Sequence, residues 1–111
     1  MYSKSTKKKL RQLSNIAFER ELGKHLDELF HHFEKWKNDE IESSDLSHLI
    51  HKFHDGTARE IYKIYNYFSE DDLVARAFVK KLISEDELTN PIKEQIESRI
   101  KIFENQINHK Y

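Results

Sequence analysis

Two glycines, one proline and no cysteine in a chain of 111 residues restrict the possible folds more than any motif does. A multistranded sheet needs tight turns at short intervals, and such turns draw on glycine, proline and asparagine for backbone conformations other residues avoid. Here the stretches between breakers are long and rich in leucine, lysine and glutamate, which lose little side-chain freedom in a helix. The expected fold is all-α, a single-domain bundle of about five helices with short loops. At this length folding withdraws roughly 65% of the chain's surface from water, enough for an apolar core without covalent staples. Without cysteine there are no disulfides, thiolate zinc sites, iron–sulfur clusters or cysteine nucleophiles.

Hydrophobic spacing and capping residues place the helices. At about 100° per residue, Phe18, Leu22, Leu26, Leu29, Phe30, Phe33 and Trp36 share one stripe, predicting a long first helix from near residue 6 to the "KNDE" at Lys37. Ser43 or Ser44 caps a second helix that buries Leu46, Leu49, Ile50 and Phe53 and ends at Asp55–Gly56, the glycine supplying a left-handed residue. "TARE" then reads as a capping box of Thr57 and Glu60, making the 48–60 stretch a helix–turn–helix corner. "SEDD" at Ser69 and "SEDE" at Ser84 are two further capping boxes. Between them, "LVARAFVKKLI" is apolar around most of its circumference, as suits a helix surrounded by others. Pro91 opens the last helix, in which Ile92, Ile96, Ile100, Phe103 and Ile107 recur at steps of four and three.

The formal charge of -1 conceals an asymmetry, because the first twelve residues hold Lys4, Lys7, Lys8, Lys9 and Arg11 and no acid. Residues 1–8 are expected to form a flexible basic arm and residues 9–111 the single helical domain. Lys7, Lys8 and Lys9 would give that arm weak contact with a polyanion, RNA or DNA. No run approaches the ~18 apolar residues of a membrane span, and "MYSKSTKKKLRQL" lacks the apolar core of a signal peptide. The expectation is a soluble, cytoplasmic protein that makes no membrane contact.

The stretch "HLIHKFHDGTAREIYKIY" concentrates ionisable groups and invites a catalytic reading. Helical metal centres need ligands that converge inward. Glu28–His31 and Asp45–His48 have such spacing, and His51 and His54 add imidazoles. Yet Glu28 and His31 lie roughly 125° and 175° from the apolar centre of the first helix, and His48 and His51 roughly 150° from that of the second. They face solvent, so neither metal nor cofactor is expected. His54-Asp55 alone is too short a match to metal phosphohydrolases. Arg20 and His25 have the spacing used by some small helical ribonucleases. A DNA-reading corner at Gly56 is disfavoured by Lys52 and His51 where close packing is needed, and by the modest charge of Arg59 and Lys63 beside Glu60. The amides of Thr57, Ala58 and Arg59, with His54 and the Arg59 side chain nearby, form a candidate anion site.

The reading that remains is a small non-enzymatic interaction module, a regulatory, accessory or immunity-type partner of another protein. Its expected interface is His48, His51, Arg59, Lys63 and Tyr67, a mixture of imidazole, charge and aromatic surface. Three alternatives stay open: a nuclease-like or metal-assisted hydrolase using Arg20 and His25 or the His48–Glu60 corner, a weak nucleic-acid binder acting through Lys7–Lys9, and a homo-oligomer.

Overall fold

The first helix sets the architecture. In the computed structural model, which describes residues 2–108, helix α1 (Lys4–Lys37) has 34 residues. At 1.5 Å per residue it is about 51 Å long, which accounts for the longest extent of the molecule, 54 Å against 31 and 25 Å. Asp39, at φ 60°, turns the chain back after Asn38 caps the helix. Helix α2 (Ser43–Lys52), a π-helical segment (Phe53–Ala58) and helix α3 (Arg59–Tyr67) then run antiparallel to α1 as one continuous rod. Helix α4 (Glu70–Val79), the single turn α5 (Ile92–Gln95) and helix α6 (Glu97–Asn108) follow. Counting the rod as one body, the described residues form five helical bodies and no strand.

The two halves of α1 have different neighbours. Leu10, Leu13 and Ala17 join Val74, Ala75 and Ala77 of α4, Leu82, Ile83 and Leu88 of the connection, and Ile92, Ile96 and Ile100 in one apolar core. Alanines at positions 17, 75 and 77, all fully buried, let α1 and α4 approach closely. The second half of α1 packs only against the α2–α3 rod, giving a two-helix hairpin. The expected stripe from Phe18 to Trp36 is therefore split. Phe18, Leu22 and Leu29 are half-buried against the rod, whereas Leu26, Phe30, Phe33 and Trp36 are exposed.

A buried ion pair stands where the halves meet. Arg76 of α4 clasps Glu21 of α1 through two hydrogen bonds of 2.8 Å, and the Tyr65 hydroxyl donates to Glu21 Oε1 at 2.9 Å. Burial pushes the Glu21 carboxyl up, but the charge and donors of Arg76, with the Tyr65 hydroxyl, carry it below the ordinary carboxylate range. Burial and the neighbouring Glu21 carboxylate raise the Tyr65 hydroxyl well above its usual value. A second cluster closes the lower end of α1. Tyr2 donates to Asp71 Oδ2 at 2.9 Å, and Arg99 Nε lies 3.2 Å from the same oxygen and 3.1 Å from Asp72 Oδ1. Burial raises the Asp71 carboxyl, but hydrogen bonds from Ser69, Tyr2 and the Asp72 amide outweigh it and leave it lowered.

Several expectations are corrected. Gly56 has no positive φ and closes no helix. The chain passes through it in right-handed conformation, so the corner expected over 48–60 is a straight rod whose turns widen where Gly56 and β-branched Thr57 weaken the α-helix. Residues 4–8 are not a separate arm but the first turn of α1. Ser3 caps it by accepting from the Thr6 amide at 3.2 Å, Thr6 is buried, and Tyr2 packs on the core. Met1, and residues 109–111 of the expected domain, lie outside the described residues. Helix α4 stops at Val79, where Lys81 takes φ 63° and turns Leu82 and Ile83 into the core. Ser84 and Glu87 make the reciprocal bonds of a capping box, Ser84 N–H to Glu87 Oε1 at 3.0 Å and Glu87 N–H to Ser84 Oγ at 3.3 Å, over a single turn. The last helix follows the predicted isoleucine spacing but breaks at Ile96. The second helix is capped by Glu42 with Asp45, one residue before the expected serines.

Two outcomes follow for stability. Arg76→Ala, which strands the Glu21 carboxylate, should cost about 3–5 kcal/mol in urea denaturation, and the double variant Glu21→Leu/Arg76→Met should recover most of it. Because Glu21 and Asp71 are depressed in the fold, their stabilisation is complete above the unfolded carboxylate range and lost as pH falls through the lower folded values. Melting temperature should hold from pH 7 to about 5 and decline below about 4.5. Arg76→Ala should show a shallower acid limb.

Removing residues 1–8 takes away the Ser3 cap, the Tyr2–Asp71 bond and buried Thr6. A cap is worth about 1 kcal/mol and a hydrogen bond to a charged group about 1.5–3 kcal/mol, so the truncated protein should be at least about 2 kcal/mol less stable. An unchanged calorimetric melting temperature would show that these contacts contribute nothing.

Candidate functional site

The expected interface resolves into two groups. Arg59, Lys63 and Tyr67 recur every fourth residue along α3 and so form one outward row. Tyr67 is 81% exposed and meets Phe68 edge to face, ring centres 5.0 Å apart. Phe68 is itself fixed against Phe103 of α6 at 6.3 Å. The tyrosine therefore stands on a supported base and, with Glu60, Tyr62, Lys63, Ile64, Asn66 and Phe68, lines a groove of about 510 Å³. His48 and His51 are exposed on α2. Arg59 is eleven residues along the rod from His48, roughly 16 Å by the helical rise. The π-helical segment between them also rotates the register, so the histidines do not join the row.

The other candidates disperse. His54 touches only Asp55, 3.1 Å away, and both are solvated. The anion site at His54, Thr57 and Arg59 required a helix start, but Ala58 and Arg59 are already right-handed helical and the Arg59 amide bonds the Gly56 carbonyl. No free amides converge there. Glu28 faces His25 at 3.6 Å and His31 faces Glu34 at 2.9 Å, each a surface pair one turn apart. Among the described residues, no three His, Asp or Glu side chains gather closely enough to hold a metal.

Arg20 and His25 are not brought together either. Five residues rotate a helix by roughly 140°, so they leave α1 on different sides. Arg20 makes two 2.7 Å hydrogen bonds to Glu87 and a third of 2.8 Å to the Leu82 carbonyl, tying α1 to the connection after α4. This partner holds the Glu87 carboxyl down at about 2. The guanidinium thus has a structural task, bracing α1 against the connection, while its side chain stays about half exposed. Lys7, Lys8 and Lys9 are exposed on the first turns of α1, where the helix dipole opposes positive charge and no acid offsets it.

What the sequence reading missed is the apolar surface of the hairpin. Phe30 is 60% exposed and Leu26 46%, with Phe33 and Ile50 beside them. The signal was length: a helix of 34 residues outruns what the remaining short helices can cover.

Substitutions on the α3 row should separate from those in the core. Arg59→Ala, Lys63→Ala and Tyr67→Ala should each change unfolding free energy by no more than about 0.5 kcal/mol. Ile61→Ala, in the same helix but only 4% exposed, should cost about 3 kcal/mol through the cavity it leaves. Equal losses at Tyr67 and Ile61 would mean that Tyr67 is part of the core.

Comparison with protein-family models, with curated proteins and with solved structures finds no match to this chain.

Proposed function

We propose that this protein is an interaction module that docks on another protein through the outward row of α3, as a regulatory, accessory or immunity-type partner in the cytoplasm. The observation that carries the reading is Tyr67: a large aromatic held in water by a ring behind it, beside an apolar groove and in line with two cations. Aromatic and arginine side chains supply most of the energy at protein interfaces, because they bury large area at small entropic cost. A surface with a shallow apolar recess edged by carboxylates is the complement of such a row. The reading is also supported by the dispersal of the catalytic candidates and by the lack, among the described residues, of any helix long and apolar enough to cross a membrane.

The test is capture from native cells with tagged wild-type protein and with Tyr67→Ala, followed by affinity measurement on the protein identified. Tyr67→Ala should weaken that complex by at least about tenfold, and Lys63→Ala by less, with increasing salt sensitivity lost at Lys63. Affinity unchanged in both variants would put the docking surface elsewhere.

A further inference from the structure

A second face of the hairpin is apolar, and it has the layout of a helix that pairs with itself. On α1 the residues Glu19, Gly23, Leu26, Phe30, Phe33 and Lys37 are separated by four, three, four, three and four positions. That is the seam of a coiled coil. It lies roughly 100° around α1 from the side that packs on the rod, so no part of the chain's own core competes for it. The seam is also a palindrome of charge and size: an acid at one end, a base at the other, a glycine near the acid, an aromatic near the base, and two large apolar residues at the centre. Laid against a copy running the opposite way, with the twofold axis midway between Leu26 and Phe30, it forms complementary layers. Leu26 meets the partner's Phe30, Gly23 meets the partner's Phe33, and Glu19 meets the partner's Lys37.

From this we infer that the protein forms an antiparallel homodimer through the second half of α1. Nothing lies within 4 Å of where a Cβ on Gly23 would be, which leaves room for the facing phenyl ring. Among the described residues neither Glu19 nor Lys37 has an ion-pair partner within its own chain, so each is available across the dyad. A parallel pairing would instead set Glu19 against the partner's Glu19 and repel.

The rod supplies an independent check on where the axis falls. The Trp36 indole N–H donates to Ser43 Oγ at 3.0 Å, which sets position 43 opposite 36. Ile50, seven residues along the antiparallel rod, then lies opposite position 29, about one residue's rise from the level of the dyad. Viewed down α1 from its N-terminus the seam is clockwise of the rod, and because the rod runs the other way Ile50 projects to the same side. Ile50 is 38% exposed. It therefore meets the partner's Ile50 on the axis, and the two hairpins close into a four-helix bundle. The seam spans about 27 Å and two helices are roughly 20 Å across, a flat footprint of roughly 540 Å² that side-chain relief brings toward the ~800 Å² per partner of a standard interface.

Sedimentation equilibrium on the untagged full chain tests this. The wild type should have twice the chain mass at micromolar concentration, and Phe30→Glu should be monomeric with an unchanged helical circular dichroism spectrum. Glu19→Lys and Lys37→Glu should each weaken the dimer at least about fivefold, and the double reversal should restore it. Because the chain has no cysteine, Ile50→Cys offers a unique thiol that a short bis-maleimide should join to its own copy, while Ile102→Cys on α6 should not join. Tyr67→Ala should leave the dimer intact. A monomer at all concentrations up to about 100 μM, a range in which any dimer tighter than that would be seen, overturns the inference. So does a dimer indifferent to Phe30→Glu, or a double reversal that fails to restore pairing.

Discussion

The contact on which the fold turns is the Glu21–Arg76 pair with its Tyr65 donor. It joins α1, α3 and α4 at the level where α1 passes from a many-sided core to a hairpin with one neighbour. Charges are costly to bury, and this pair is tolerable because each Glu21 oxygen accepts from the guanidinium fork and one also accepts from a phenol. Such an arrangement contributes direction more than net stability. A hydrophobic substitute would bury area as well, but it would not fix which turn of α1 meets which turn of α3 and α4. The Phe18–Tyr65 edge contact, 5.3 Å between ring centres, and Arg76 above the Tyr65 ring extend the same register into the apolar packing.

From this register come both the rigidity of one end and the openness of the other. Below the pair, α4 packs on α1 and is backed in turn by α6 with α5, and Arg20, Arg99 and Tyr2 secure the connections with ionic or hydrogen-bonded clamps. Beyond it, α1 extends for four more turns with only the α2–α3 rod for company. The π-helical segment lies on this rod, so the part that carries Tyr67 keeps its own rotation relative to the part that faces the far end of α1. One long helix thus supports two kinds of surface: a fully packed domain below, and a two-helix layer above.

The helices were legible in the sequence where apolar spacing and breakers agreed. The end of α1 before Asp39 forms as read, the reciprocal Ser84–Glu87 bonds form though over a single turn, and Ile92, Ile96 and Ile100 reach the core as their spacing implied although the helix breaks at Ile96, because each depends on interactions within a few residues. Gly56 failed for the same reason in reverse. A glycine permits the left-handed conformation without requiring it, and in the continued helix Ile61 is buried and Phe53 half-buried in a rod that packs along α1. Tyr2 and Glu21 were illegible because their partners Asp71 and Arg76 are far along the chain. No local pattern names a partner at that distance. Of the expected interface, Arg59, Lys63 and Tyr67 hold together because they lie on one uninterrupted helix, and His48 and His51 separate from them because the widened turns intervene.

The exposed seam of α1 shows a further limit of reading a helix by its apolar stripe. Phe18, Leu22, Leu29 and Trp36 point one way and Leu26, Phe30 and Phe33 about a quarter-turn away, yet on a wheel they merge into one broad apolar sector. A sector that wide is more than one neighbouring helix can cover, since two helices touch along a single ridge-and-groove line. The chain provides one neighbour for this part of α1, and the quarter-turn it leaves bare is where the charge order from Glu19 to Lys37 lies. Width of the apolar sector, set against the number of helices available to cover it, is the quantity that distinguishes a core face from a face still awaiting its partner.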